Sequence, residues 1–518
     1  MINHKGFNEK FNFFKKRYFL AFLSGIFLIL PFSPFPFFLS FIVFVALIPL
    51  FGAIYKSSTK NAFFAGLITG SIFFLGNLYW IIIAMNRYGG VDYLLALGIL
   101  TFFSLFLGSF VALFSSIISF LIRKKIPLFF AAPFTWVGME YILSFILSGF
   151  PWCLLGYTQS RWPLFIQFAD ITGVYGVSFI IVIINTVIFE ILLSITKKRR
   201  LPLLSIGITI ILLIFIFSYG KVKLSENFSA GKRLKIGVAQ GNIPQDMKWN
   251  KEMIEMTLDI YEGMTKNLAR EGADIVIWPE TAAPFYFCEP TPYREKVLNI
   301  AKKNRIFLLF GAPYYEVKNK ETFYYNSCFL VSPNGDIIGR YDKIHLVPYG
   351  EYVPLKRYFP FLGKVSSEIG DFRSGKKIKN LYGDDFIIGV LICFEIIFPD
   401  LVRRFVKNGA QLLVTITNDA WFGKTTAPYQ HFDKAIFRAV ENRVYLIRSA
   451  NTGISGVIGP KGRVVISTPI FQKRLFIKEI SFYNHSHLSF YTKYGDIFSR
   501  IILIITALLF IISLLKRK

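Results

Sequence analysis

The sequence predicts an all-α polytopic membrane bundle that carries one large α/β layered domain, and three observations predict it. Long apolar stretches fill the first 220 residues and return once at the carboxyl end. Between them, from about Lys221 to Asp496, the texture changes to short apolar runs that end at turn residues, with helical patterns between several of them. The composition, 53% hydrophobic and 18% aromatic with a mean hydropathy of +0.48, lies outside the range of soluble globular chains.

Stretches near the ~20 residues needed to cross a bilayer occur at Tyr18–Leu30, Phe37–Tyr55, Ala62–Ala84, Tyr93–Ile122, Ile126–Leu147, Phe165–Ile195, Leu201–Tyr219 and Ile501–Leu515, so about eight transmembrane helices are expected. The first is short and runs into "PFSPFPFF", whose prolines favour a tight hairpin or a broken helix. Basic residues gather before the first stretch (Lys5, Lys10, Lys15, Lys16, Arg17) and after the second (Lys56, Lys60). They gather again after the fourth (Arg123, Lys124, Lys125), the sixth (Lys197, Lys198, Arg199, Arg200) and the eighth (Lys516, Arg517, Lys518). That alternation places both termini in the cytoplasm by the positive-inside rule and the intervening domain on the outer face. The expected organisation is a bundle of seven spans over 1–220, an extracytoplasmic catalytic domain over 221–496 and a closing span over 497–518. No small-residue cleavage site follows the first apolar stretch, so an uncleaved span is expected there rather than a signal peptide.

Within the outer region, "RLKIGVAQGN", "ADIVIWPE", "IFLLFGAPYY", "FIIGVLICFE", "QLLVTITND" and "RVVIST" read as strands. Helical patterns cover Lys251–Arg270, Tyr293–Lys303 and Tyr429–Asn442, and "FLVSPNGDIIGRYDK" reads as a hairpin closed at Pro333-Asn334-Gly335. A domain of that size can bury its own core. The net charge of +27 invites a nucleic-acid reading, but the outer-domain basic residues are dispersed and no nucleic-acid motif is present. Four cysteines, Cys153, Cys288, Cys328 and Cys393, are too few for a disulfide scaffold, and a Cys288–Cys328 bridge is left open.

Three of the strand-like segments end on reactive side chains: Glu280 closes "ADIVIWPE", Lys343 lies in "GRYDKIHLVPYGE" and Cys393 closes the apolar run "FIIGVLIC". Strand ends are where α/β proteins gather functional groups. A thiol needs a base or a positive charge to act as a nucleophile at neutral pH. Glu280 suits the base, and Lys343 with a backbone N–H just after Cys393 suits an oxyanion site. Taken singly, each has a plainer reading: a buried core thiol, a turn cap after Trp278-Pro279, a surface lysine. His345 lies two residues from Lys343 on an extended segment and is expected only to line the site. His485 and His487 have no neighbouring carboxylate or cysteine ligand and read as a surface loop, so no metal is expected. No dinucleotide or phosphate-loop fingerprint appears and no cofactor is expected.

The motifs "WPET", "YDKIHLVPYGEYVP" and "LICFE" resemble the Glu-Lys-Cys signatures of the nitrilase superfamily. Set between seven apolar stretches and one more, they resemble the apolipoprotein N-acyltransferase family, its membrane-embedded branch. The resemblance covers nearly the whole chain and implies a nitrilase-like α-β-β-α sandwich on the membrane bundle. It implies Cys393 as nucleophile, Glu280 as general base and Lys343 as oxyanion stabiliser. It also assigns supporting places to Glu351, to Glu395, which would hydrogen-bond Lys343 or Glu280, and to Trp249. Where the family commonly carries tyrosine after the nucleophile this chain has Phe394, so a phenolic hydrogen bond is excluded there while an apolar lining role stays open. "GFPWCLLGYTQS" adds Trp152, Tyr157 and Gln159, which either border a lipid entrance or, for Trp152 and Tyr157, anchor at the membrane interface.

The implied reaction is a two-step acyl transfer. A phospholipid donor, phosphatidylethanolamine by expectation, acylates Cys393, and the α-amine of a diacylglyceryl-cysteine at an apolipoprotein N-terminus then takes the chain from the thioester. Both substrates sit in a lipid bilayer, which gives the membrane half its purpose. One chain holds every expected part, so a monomer is expected. A membrane-tethered amidase or nitrilase would use the same three residues with water as acceptor, but it has no need of the spans. A transporter or lipid-binding scaffold is disfavoured by the intact trio and by the scarcity of ionisable residues in the spans.

Overall fold

The structure is a computed structural model that describes residues 4–227, 231–244, 251–352, 371–482 and 488–515. The chain divides into a helical unit (Met1–Ile82, Asp92–Ser225 and Tyr494–Lys518) and an α/β unit (Ile83–Val91 and Glu226–Lys493).

In the helical unit, six helices among the described residues are long and apolar enough to cross a membrane: Phe37–Ile54, Thr59–Leu78, Tyr93–Arg123, Val174–Thr196, Leu203–Ser225 and Ile497–Leu515. The expected eight are therefore not all found. The first expected span is the distal half of helix His4–Ile29, which carries Lys15, Lys16 and Arg17 in its middle. The fifth is helix Leu128–Leu143, whose 16 residues reach roughly 24 Å at 1.5 Å per residue, short of a ~30 Å hydrocarbon core. The sixth begins later than expected, because Gly173 at φ +65° separates the short turns Pro163–Ile166 and Ala169–Thr172 from the helix that follows. Small residues let the two best-packed helices meet. A Cβ on Gly70 would lie 2.7 Å from the Gly108 Cα, so the backbones of Thr59–Leu78 and Tyr93–Arg123 touch where no side chain fits.

The α/β unit holds two six-stranded sheets. One contains β1 (Lys232–Gln240), β2 (Ile275–Ile277), β3 (Phe307–Lys318), β4 (Glu321–Val331), β5 (Ile337–Asp342) and the late strand β12 (Arg474–Phe482), in the order β12-β1-β2-β3-β4-β5. The other contains β6 (Leu381–Tyr382), β7 (Ile387–Ile392), β8 (Leu412–Thr417), β9 (Leu446–Ala450), β10 (Gly456–Ile458) and β11 (Val464–Ser467), in the order β11-β10-β9-β8-β7-β6. Each sheet has three parallel strands, β1-β2-β3 or β7-β8-β9, then an antiparallel meander, and one antiparallel strand on the far edge. The two sheets thus repeat one topology.

Parallel strands covered on both faces read as continuous apolar runs, and β7 and β8 are buried almost throughout. Helices Lys251–Arg270 and Pro292–Asn304 cover the first sheet, with Leu258, Tyr261, Leu268, Val297 and Ile300 packing on Val276, Trp278, Leu308 and Phe310. Helices Pro399–Lys407 and Ala427–Asn442 pack on the second. The sheets meet at their other faces, where Ser449 Oγ donates to the Ile277 carbonyl at 3.2 Å, completing an α-β-β-α sandwich. The hairpin forms as expected: Gly335 takes φ +88° and Ser332 N–H donates to the Asp336 carbonyl at 2.8 Å. Cys288 and Cys328 are both free thiols, so no bridge links them. The segment Ile83–Val91, expected in the membrane bundle, belongs to the α/β unit, where Tyr88 donates to the Ala420 carbonyl at 3.0 Å and packs edge-on against Trp421.

Candidate active site

The ends of β2, β5, β7 and β8 converge on one buried cluster. Cys393 is the first residue past β7 and opens a single 3-10 turn, Cys393–Ile397. Its φ of +52° is a conformation that a non-glycine residue holds only where its surroundings impose it. Glu395 imposes part of it. Its Oε2 accepts the Ile392 N–H at 2.7 Å, while its Oε1 accepts from the Tyr341 hydroxyl at 2.7 Å, the Ile344 N–H at 2.7 Å and the His345 N–H at 3.1 Å. Glu395 therefore hydrogen-bonds neither the Lys343 nor the Glu280 side chain. It ties the backbone beside Lys343 to the backbone beside Cys393, and burial raises its pKa above the ordinary carboxylate range.

Lys343 is buried, with 1% of its side chain exposed. Its Nζ lies 2.8 Å from Glu351 Oε2 and 3.8 Å from Glu280 Oε1. Burial opposes the charge, but Glu351, Glu280 and the neighbouring Cys393 outweigh it and keep the ammonium protonated above its ordinary range. Between the two carboxylates stands Asn326 on β4, whose Nδ2 donates to Glu280 Oε1 at 2.8 Å and to Glu351 Oε1 at 2.7 Å. The other oxygens accept backbone donors: Glu280 Oε2 takes the Asn418 N–H at 2.9 Å and Glu351 Oε2 takes the Val347 N–H at 2.8 Å. The Cys393 thiol is pushed well above its ordinary pKa, first by burial and then by Glu280, with Lys343 and the Thr417 hydroxyl acting in the opposite sense. Ionisation of the thiol is thus disfavoured, and a base beside it is what its reactivity requires.

Beneath the turn lies a second buried group that sequence reasoning missed. His431, on helix Ala427–Asn442, has its Nε2 3.2 Å from the Cys393 carbonyl. A carbonyl only accepts, so Nε2 carries the proton. Its Nδ1 lies 3.0 Å from Arg448 Nη2 and 3.1 Å from Asp419 Oδ1, and Arg448 also donates to Asp419 Oδ2 at 2.7 Å. Burial and then Arg448 push His431 down to about 4. Against the effect of its own burial, Arg448 and His431 hold Asp419 well below the usual carboxylate range. Asn326, Asn418 and Asp419 carry a sequence signal in retrospect: polar residues interrupting or ending otherwise apolar strands.

Phe394 is buried, packs edge-on against Phe398 and lies near His345, whose ring stacks on Phe398 at 3.6 Å. Trp249 falls outside the described residues, as do His485 and His487. Trp152, Tyr157 and Gln159 are 1%, 1% and 0% exposed. Trp152 packs on Trp80, and Gln159 donates to the Ser40 carbonyl at 3.0 Å. All three are buried within the helical unit. No group of three or more metal-ligating side chains occurs among the described residues.

The α-β-β-α unit, with twelve strands among the described residues and a buried glutamate, lysine and cysteine at strand ends, is a domain of the carbon-nitrogen hydrolase class. Residues 235–484 match the family model for carbon-nitrogen hydrolase, and residues 24–187 match that for the apolipoprotein N-acyltransferase N-terminal domain. The apolipoprotein N-acyltransferase of Geobacter metallireducens is 41% identical over 492 residues, covering 94% of this chain and 93% of the relative. That of Wigglesworthia glossinidia brevipalpis is 32% identical over 494 residues, covering 92% and 94%. Among solved structures, Nit3 of Saccharomyces cerevisiae, a nitrilase-superfamily member, is 20% identical with a TM-score of 0.38, covering 49% of this chain and 92% of that one. The chain belongs to the apolipoprotein N-acyltransferase family. With six apolar helices of membrane-crossing length, it is a multi-pass membrane protein.

Proposed function

We propose that the chain moves an acyl chain from a phospholipid, phosphatidylethanolamine, through a thioester on Cys393 to the α-amine of a diacylglyceryl-cysteine at an apolipoprotein N-terminus. The observation that carries this reading is the closed charge arrangement around Lys343: two carboxylates, one shared asparagine and a neutral thiol in a buried site. Moving the thiol proton to Glu280 leaves the net charge of the cluster unchanged while it places negative charge on sulfur beside the lysine. Burial therefore does not oppose the transfer as it would oppose creating a lone thiolate.

In the first half-reaction Glu280 takes the thiol proton and sulfur attacks the ester carbonyl. The tetrahedral oxyanion forms against Lys343 and the Phe394 N–H. Its collapse breaks the bond to the glycerol oxygen, and Glu280 returns the proton to the lysophospholipid. In the second, the lipoprotein amine attacks the thioester, Glu280 receives the amine proton, the C–N bond forms, the C–S bond breaks and the proton returns to sulfur. Two products leaving in turn give ping-pong kinetics. Glu351 and Asn326 hold the ion pair, and Glu395 fixes both flanking backbones. The α/β domain works on the outer face of the cytoplasmic membrane with both termini inside, over the boundaries 1–220, 221–496 and 497–518 save that Ile83–Val91 belongs to the α/β domain.

Intact mass after incubation with phosphatidylethanolamine tests the reading. Wild type should gain one hydroxylamine-labile acyl chain and lose it to a diacylglyceryl-cysteine peptide. Cys393→Ala should gain none, and Glu280→Gln should acylate on the order of 10²- to 10⁴-fold more slowly, the usual range for a lost general base. A chain that forms no adduct yet hydrolyses small amides would sink the proposal in favour of a carbon-nitrogen hydrolase.

A further inference from the structure

We propose that His431 is a positioning residue that aims the oxyanion donor of the nucleophile turn: by donating to the Cys393 carbonyl it fixes the plane of the Cys393–Phe394 peptide and with it the direction of the Phe394 N–H. The inference rests on the acyl-transfer reading of Cys393. A peptide unit is planar and trans, so its C=O and N–H point in opposite directions. Holding the carbonyl on one side therefore sets the N–H on the other. Cys393 at φ +52° is not kept there by its own backbone preference, and Glu395 within the turn holds the Ile392 N–H on the other side of Cys393, which leaves the Cys393 carbonyl to His431.

The imidazole is braced to supply it. His431 and Asp419 are fully buried and so is Arg448. The Arg448 Nε donates to the Ile454 carbonyl at 3.1 Å, its Nη2 spans Asp419 and His431, and the Thr417 hydroxyl donates to Asp419 Oδ1 at 3.0 Å. Arg448, Asp419 and Lys434 are charged groups acting on the ring. Helix Ala427–Asn442, strand β9 and the turn after β8 thus converge on one carbonyl. None of them carries Glu280 or Lys343, although the turn after β8 also gives its Asn418 N–H to Glu280 Oε2 at 2.9 Å. A histidine that merely fills the core would need no ion pair behind it.

The test separates the two with full-length protein in detergent micelles. The rate of thioester formation at saturating phosphatidylethanolamine requires an oxyanion donor, whereas alkylation of Cys393 by iodoacetamide forms no oxyanion. In His431→Phe, acylation should fall about 100-fold, the usual cost of one misdirected donor, with alkylation within about twofold of wild type. His431→Gln, which keeps an N–H, should recover most of the loss. Should the phenylalanine variant not fold, Asp419→Asn, which loosens the brace, should show the same selectivity with a smaller loss. Unchanged acylation, a glutamine variant as slow as the phenylalanine one, or equal loss of acylation and alkylation would overturn the proposal. A wild type that forms no thioester would remove the acyl-transfer reading itself, and this inference with it.

Discussion

At the scale of the residue, the economy of the site lies in Asn326. One amide satisfies two carboxylates that would otherwise repel across Lys343, and its backbone carbonyl also accepts the Lys343 N–H at 2.9 Å. Asn326→Leu is expected to leave both acids short of a donor, slow acyl-enzyme formation at least tenfold and lower unfolding stability by about 1–3 kcal/mol, the cost of buried acceptors left unmade. Intact-mass kinetics and a thermal midpoint check it, and full activity in that variant would show that Lys343 alone organises the acids. His431 supplies a pH prediction. Its folded pKa, pushed down to about 4, lies below the ordinary value of 6.5. Between those values the unfolded chain binds the extra proton and the folded one does not, so stability falls as pH drops from about 6.5 to 4. The loss is of order 3 kcal/mol from this ring alone. The thermal midpoint should fall across that window in wild type and fall less in His431→Phe; equal slopes would show that another group dominates.

At the scale of the element, the strand ends matter more than the strands. Strand β3 passes so close to the Glu280 turn that a Cβ on Gly311 would lie 2.7 Å from the Thr281 nitrogen and 2.8 Å from the Glu280 Cα. Backbone atoms cannot step aside as a side-chain tip can. Gly311→Ala should displace Glu280 and reduce kcat by about tenfold or more, in line with the penalty for ångström-scale misplacement of a reacting group. Steady-state kinetics decide it, a KM effect alone being the outcome that contradicts this. The apolar runs ending at Glu280 and Cys393 were readable as buried strands, and the PNG turn as a hairpin closure, because each reports only local preference. The role of Glu395 was not readable. Its four donors come from Tyr341, Ile344, His345 and Ile392, and three of them lie about fifty residues away along the chain.

At the scale of the whole molecule, the chain combines a unit that the bilayer can dissolve with one that needs its own core. The expected topology gives a direct prediction. A cysteine introduced at Lys5 should be shielded from an impermeant maleimide in intact spheroplasts, and one introduced at the exposed Lys376 of the α/β unit should be labelled. The reverse pattern would overturn the expected orientation. The span count shows where hydropathy alone misleads. Ile126–Leu147 is mostly apolar, yet its helix stops at Leu143, ahead of a turn in which Leu147, Ser148 and Gly149 all take positive φ and which apolar composition does not signal.

By itself the sequence determined the two-part organisation, the strands that end in Glu280 and Cys393, the turn chemistry and the three motifs that mark the family. All of these are encoded in residues close together along the chain. Only the tertiary structure decided that Glu351 rather than Glu280 is the near partner of Lys343, that Asn326 joins the two acids and that a histidine 38 residues past the nucleophile holds its carbonyl. Those contacts follow from strand register, as in the pairing of Ser327 with Asp342 that brings Asn326 beside Lys343. The β4–β5 register follows from the turn that joins them, whereas the meeting of side chains from both sheets, Glu280 with the Asn418 N–H among them, depends on how two whole sheets pack, and no local preference of the residues involved contains it.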